Sequence, residues 1–177
     1  MSIHERYAKR RHLVLGEPMR FLPLLMLVAS AAAASPACAE SPLMAPIRDW
    51  IDAFNAGHPE RASGAFAPDA VIVDEISPYV WRGPHALQWW SADAAKGSTA
   101  YGATDLHGTL GEPRWADIKG DDGYIVVPEA MDELVHGKPT CERGLHSFAL
   151  RKTASGWKIT VAAWALSAVE QGACGAP

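Results

Sequence analysis

Beyond about residue 100 the hydrophobic pattern of this 177-residue chain changes from a helical period to long alternating runs, and that change limits the fold more than any other feature. Before it, Pro46 suits a first helical turn, and Ile47, Trp50, Ile51 and Phe54 follow at i, i+3, i+4 and i+7, with Gly57 placed to end the helix. Pro59 opens a shorter helical stretch through Phe66, and Pro68-Asp69 breaks it before a strand over 70–75. Ser77-Pro78 turns the chain into a short returning strand, Tyr79-Val80-Trp81. Gly83-Pro84 then starts a third helix with Leu87, Trp90 and Ala94 on one face. After it come candidate strands at 103–110, 123–136, 140–152 and 157–166. Turn signals at 120–123, 136–139 and 154–156 make the last three an antiparallel meander. Helices first and an antiparallel sheet afterwards give an α+β domain with the helices on one face of the sheet.

The first 39 residues read as a secretory signal rather than as part of the fold. An uncharged run of 14 residues, Phe21 to Ala34, follows Arg20 and precedes Ala37-Cys38-Ala39, a small-x-small cleavage pattern. The run is too short to span a bilayer, which takes about 20 residues. The basic segment ahead of Met19 is long for a signal, so Met19 is the expected start. Residues 40–177 then form one domain of ordinary size. Of 16 Lys/Arg and 20 Asp/Glu in the chain, residues 1–39 carry five and two, which leaves 11 and 18 and a net charge of −7. An acidic domain with no basic cluster argues against a nucleic-acid partner. Once the signal is removed, nothing in the sequence points to a membrane.

Cys141 and Cys174 remain after cleavage, in what is then an oxidising compartment. They are candidates for a disulfide tying the C-terminal tail to a strand, with two free thiols as the alternative. The sequence contains no CxxC, zinc spacing or phosphate-binding glycine loop.

Asp74 follows Val71-Ile72-Val73, a β-branched run expected to be buried, where a carboxylate is costly. It is therefore either a working group in a pocket or a structural carboxylate, paired with Arg82 or capping a turn. His146 alternates with Phe148 and Leu150, which points it inward either as a hydrogen-bonded core histidine or as a proton carrier facing Asp74. Seven tryptophans are many for this length, and aromatic walls suit flat apolar ligands as well as cores. One of Asp132 and Glu133 must face inward or lie near an edge. Glu129, Asp132, His107, His136 and His146 show no ligand spacing, so no metal is expected.

Three strings resemble the NTF2-like superfamily, in its ketosteroid isomerase and SnoaL-like branch: Ile47 to Gly57, Phe66 to Asp74, and Arg82 to Leu87. The resemblance covers about residues 43–166. It implies a cone of curved, mainly antiparallel sheet packed against about three N-terminal helices and enclosing an apolar pocket. It also places Asp74 where the isomerases keep their proton shuttle. His146 stands where they keep an oxyanion-holding aspartic acid, and Trp50 where they keep a tyrosine, so the oxygen-binding groups differ and steroid isomerisation is not implied. The expectation is an exported protein, periplasmic or secreted, that binds a small apolar or aromatic molecule. Asp74 and His146 would be catalytic, and Trp50, Tyr79, Trp90, Phe148 and Trp164 would contact the ligand, as a cofactor-free isomerase or lyase. The alternative is a non-catalytic ligand-binding or homodimerisation module, and the resemblance makes a homodimer the expected assembly.

Overall fold

A computed structural model describes residues 40–177. Residues 1–39, which the sequence suggests are a secretory signal, lie outside the described residues. Helix α1, Met44–Asn55, buries Met44, Pro46, Ile47 and Trp50 on one face. Each of its large apolar side chains contributes roughly 1.5–3 kcal/mol on burial. The stretch after Pro59 forms a 3-10 helix, Pro59–Ala65, rather than an α-helix. Helix α2, Ala86–Tyr101, ends at Gly102, whose φ of 77° is the left-handed geometry a helix terminus uses. Among the described residues no helix is long and apolar enough to cross a membrane.

Seven strands form one sheet: β1 Phe66–Val73, β2 Val80–Arg82, β3 Ala103–Leu110, β4 Trp115–Lys119, β5 Asp122–Val135, β6 Lys138–Thr153 and β7 Gly156–Gln171. The order is β2-β1-β7-β6-β5-β3, with β4 pairing β5. Every pairing is antiparallel except β1 with β7. Strand β1 starts earlier than the sequence suggests. Pro68-Asp69 does not stop it, because they fall where its register with β7 shifts, between Phe66 and Val71, and an irregular edge tolerates a residue with no N–H. The strand ends at Val73, so Asp74 lies just beyond the ladder instead of inside it. Strand β4 was not expected. All five of its residues are exposed, so it lacks an apolar alternation.

The three long strands curve around the helices. On their inner face Ile125, Val127, Phe148, Leu150, Ile159 and Ala162 are buried against α1 and α2. Asn55 ties the end of α1 to β3, donating from Nδ2 to the Gly108 carbonyl at 2.9 Å and accepting from the Gly108 N–H at 2.8 Å. The Cys141–Cys174 bridge is present, with Cα atoms 5.1 Å apart. It holds the tail on the outer face of β6, where the Cys174 N–H also donates to Asp132 Oδ1 at 2.6 Å.

Candidate functional site

Below this core the sheet does not close on the helices. A cavity of about 430 Å³ remains between α1, α2 and the inner face of β5, β6 and β7. Its deep end is aromatic. The Trp50 ring lies edge-on to Trp90 and to His146, each with centroids 5.3 Å apart, and Trp164 lies against His146 at 5.1 Å. Trp50 Nε1 is buried and has no hydrogen-bond partner among the described residues.

Asp74 enters this cavity from the end of β1. Arg82, the structural partner weighed from the sequence, is exposed on β2, and no ion pair joins it to Asp74 among the described residues. Instead Trp90 Nε1 donates to Asp74 Oδ2 at 2.8 Å, and the Ile76 N–H approaches Oδ1 at 3.4 Å. The carboxylate is thus positioned by an α2 indole and a turn N–H while still facing open space. A second indole bond, Trp81 Nε1 to Asp93 Oδ2 at 3.0 Å, fixes the same helix over β2.

His146 sits on β6 opposite Trp164 of β7. Its Nδ1 lies 2.5 Å from Glu129 Oε2, and Glu129 is 3% exposed. The ladder explains this contact. Val127 faces His146 and Glu129 faces Gly144, so Glu129 and His146 are diagonal neighbours on one side of the sheet. Two glycines make the room. A Cβ on Gly108 would come within 2.9 Å of Glu129 Oε1, and one on Gly144 within 2.4 Å of the Trp164 ring. An N–H at Nδ1 donated to Glu129 leaves Nε2, which has no protein partner among the described residues, for whatever occupies the cavity. Asp74 follows Val73, the last residue paired with β7, and β7 in turn separates it from His146 on β6. Two strand spacings put their backbones about 10 Å apart, room for a small molecule between the two groups.

Toward the mouth the wall is acidic. Glu142 lies opposite Met131 and diagonal to Glu133, with Glu75 at the rim. Burial, and then the charges of Glu133 and Asp74, push the Glu142 carboxyl up to about 7. Burial and the adjacent Asp74 charge do the same to Glu75, also to about 7. Burial raises Glu133 above the usual carboxylate range. Among the described residues no lysine or arginine lines the cavity.

Of the residues singled out in the sequence, Asp74, His146, Trp50, Trp90 and Trp164 line this one cavity. Tyr79 does not. It occupies the tip of the turn after Asp74, with φ 73° and 58% of its surface exposed. Phe148 is fully buried behind His146, against which it stacks at 5.0 Å, and supports the wall without forming it. Glu133 is the member of its pair that faces inward, while Asp132 holds the tail on the other face. Glu75, Glu129, Glu133 and Glu142 were not read as site residues. The signal for the last three was the two-residue alternation that places them in line with Ile125, Val127 and Phe148. Among the described residues no group of three or more His, Cys, Asp and Glu is placed to hold a metal ion.

No family model matches the sequence, and no curated protein does. Solved structures do share its architecture. An NTF2-like protein with a cystatin-like fold from Novosphingobium aromaticivorans superposes with a TM-score of 0.57 at 17% identity, over 68% of this chain and 77% of that one. The chain has the NTF2-like fold. A ketosteroid isomerase-like protein from Erwinia carotovora atroseptica matches with a TM-score of 0.57 at 16% identity, over 71% of this chain and 94% of its own. A type 2 hexachlorocyclohexane dehydrochlorinase matches at 0.59 and 10%, over 74% and 86%. The NTF2-like fold therefore carries isomerase-like and eliminating proteins, and at these identities the likeness extends to the fold alone.

Proposed function

We propose that this protein binds a small, largely apolar molecule in the cavity and transfers a proton on it, as an isomerase or lyase that works with its own side chains. The observation that carries this reading is the placement of Asp74 and the His146–Glu129 pair across one aromatic-walled cavity. Asp74 takes a proton from a carbon beside a carbonyl, and the electron pair moves onto the carbonyl oxygen. His146, carrying a proton on each ring nitrogen, donates from Nε2 to that oxygen, while its Nδ1–H donates to Glu129, which orients the ring and balances its charge. Return of the proton to another carbon completes an isomerisation, and loss of a β-substituent completes an elimination. The fold neighbours named for isomerase-like and dehydrochlorinase proteins support the same class of chemistry.

The test starts from a thermal-shift screen of small carbonyl and hydroxyl compounds, since a ligand of the native state raises its apparent stability. Hits are then incubated in D2O and followed by NMR for deuterium uptake at carbon. Asp74→Asn is expected to slow uptake by roughly 10²–10⁴-fold while the hit still binds. Uptake unchanged in Asp74→Asn and in His146→Gln would sink the assignment.

Export belongs to the same proposal. The Cys141–Cys174 bridge is of the kind that persists in oxidising compartments, which supports a periplasmic or secreted location. A homodimer through the outer sheet face is also proposed. There Trp115 and Tyr124 are 62% and 45% exposed, so sedimentation at the monomer mass alone would remove it.

A further inference from the structure

The mouth of the cavity is built for a charge that the deep end does not need. Glu133 is 93% buried, yet its Oε1 has no hydrogen-bond partner among the described residues, although it lines the cavity. A buried acceptor left in this way is costly unless a donor arrives. Across the β5–β6 ladder its diagonal neighbour is Glu142, and Glu75 comes from the turn after β1. The other titratable groups facing this space are Asp74, bonded to Trp90; Glu129, bonded to His146; and Tyr101 of α2. Among the described residues no lysine or arginine of the lining meets the three mouth carboxyls. Glu142 and His146 are four residues apart on one strand, so the acidic mouth lies about 13 Å along the sheet from the proton-transfer groups.

We infer that the molecule taken by this cavity carries an alkylammonium group, seated among Glu133, Glu142 and Glu75, with its apolar body on Trp164 and Trp50 further in. The inference rests on the reading of the cavity as a small-molecule site and adds the chemical class of the ligand. The ammonium gives Glu133 Oε1 its missing donor, and its three N–H groups match three carboxyl groups, each able to accept. The raised pKa values agree with this. Near pH 7 Glu75 and Glu142 are partly protonated, and a cation bound between them displaces those protons, so its affinity climbs as pH rises through that range.

Three probes of one length separate the outcomes: 4-phenylbutylamine, 4-phenyl-1-butanol and 4-phenylbutyrate, measured by calorimetry at pH 5 and pH 8. The ammonium, like that of lysine, stays charged throughout. At pH 8, where carboxyls that titrate near 7 are mostly ionised, the amine is expected to bind about tenfold or more tighter than the alcohol, as about one charge-assisted hydrogen bond implies, and the butyrate weakest. The advantage should shrink at pH 5 and fall to parity in the Glu133→Gln/Glu142→Gln double variant. An amine no better than the alcohol at pH 8 overturns the inference and leaves the apolar cavity standing. An advantage that survives in the double variant overturns it too, since general attraction to an acidic protein then explains it. If none of the three binds, both readings fall together.

Discussion

Replacing Glu142 by glutamine keeps the shape of the side chain and removes its charge, which isolates the electrostatic cost of the acidic wall. The group lies on the inner face of β6, partly buried, with Glu133 diagonal to it and Asp74 in range. Its folded pKa of about 7 is above the ordinary 4.5, so ionisation is easier in the unfolded chain. Below about pH 4.5 the carboxyl is neutral in both states and costs nothing. Between there and pH 7 the unfolded chain gives up its proton first, and stability declines. Above pH 7 the whole penalty is present. Moving the carboxyl from 4.5 to about 7 corresponds to roughly 3 kcal/mol for a sealed group. Solvent reaches the mouth, and screening brings the figure to about 1–2 kcal/mol. Glu142→Gln is therefore expected to be about 1–2 kcal/mol more stable than the parent at pH 8 and nearly equal to it at pH 4.5. The assay is urea unfolding at the two pH values, followed by tryptophan fluorescence with the disulfide intact. An equal difference at both pH values, or a variant less stable than the parent at pH 8, would refute the reasoning.

Asp74→Asn retains an oxygen for Trp90 Nε1 and should unfold within about 1 kcal/mol of the parent in a thermal melt. Asp74→Ala leaves that buried indole donor unpaired and should cost about 1–3 kcal/mol more. His146→Gln strands the buried Glu129 carboxyl and is expected to destabilise by about 3 kcal/mol at pH 8. Adding Glu129→Gln should restore most of the loss, as a double-mutant cycle on urea midpoints will read. Removing the bridge with Cys141→Ser and Cys174→Ser frees a loop with a sequence separation of 33 and should lower stability by about 2–4 kcal/mol. Gly144→Ala sets a methyl against the Trp164 ring and should shift the tryptophan emission and weaken any cavity ligand.

Where the chain repeated a period, its structure was legible. The positions Ile47, Trp50, Ile51 and Phe54 define α1, and the glycine turns after residue 100 define the meander. Strand β4 escaped because an exposed edge needs no apolar face. The last five residues of β7, 167–171, escaped for a related reason: Val169 lines the cavity mouth, and the residues around it are mostly in solvent. Asp74 stood out because a charge beside three β-branched residues violates the local pattern. Its bond to Trp90 did not, since it depends on how α2 lies across β1. The Glu129–His146 pair turns on two residues of register. Reading the turn as 136–139 leaves the β5–β6 pairing open. The actual turn is His136-Gly137 alone, with φ of 50° and 75°, joining Val135 to Lys138. That two-residue turn fixes the register and brings Glu129 diagonally against His146.

Five carboxyl groups line one cavity, and the protein handles them in three ways. Asp74 and Glu129 each receive a hydrogen bond from a ring N–H, Trp90 and His146 respectively, which holds their oxygens in fixed directions. Those are the groups whose direction matters for moving a proton. Glu75 and Glu142 retain protons to near neutrality, and Glu133 leaves an oxygen unpaired. A purely structural acidic wall would gain stability by losing these three charges, because among the described residues no lysine or arginine lines the cavity to neutralise them. Protonation at low pH removes their cost, and at neutral pH a cation in the cavity would lower it. On the proposed reading, the two fixed carboxylates mark the reacting end of the cavity, and Glu75, Glu133 and Glu142 the recognising end.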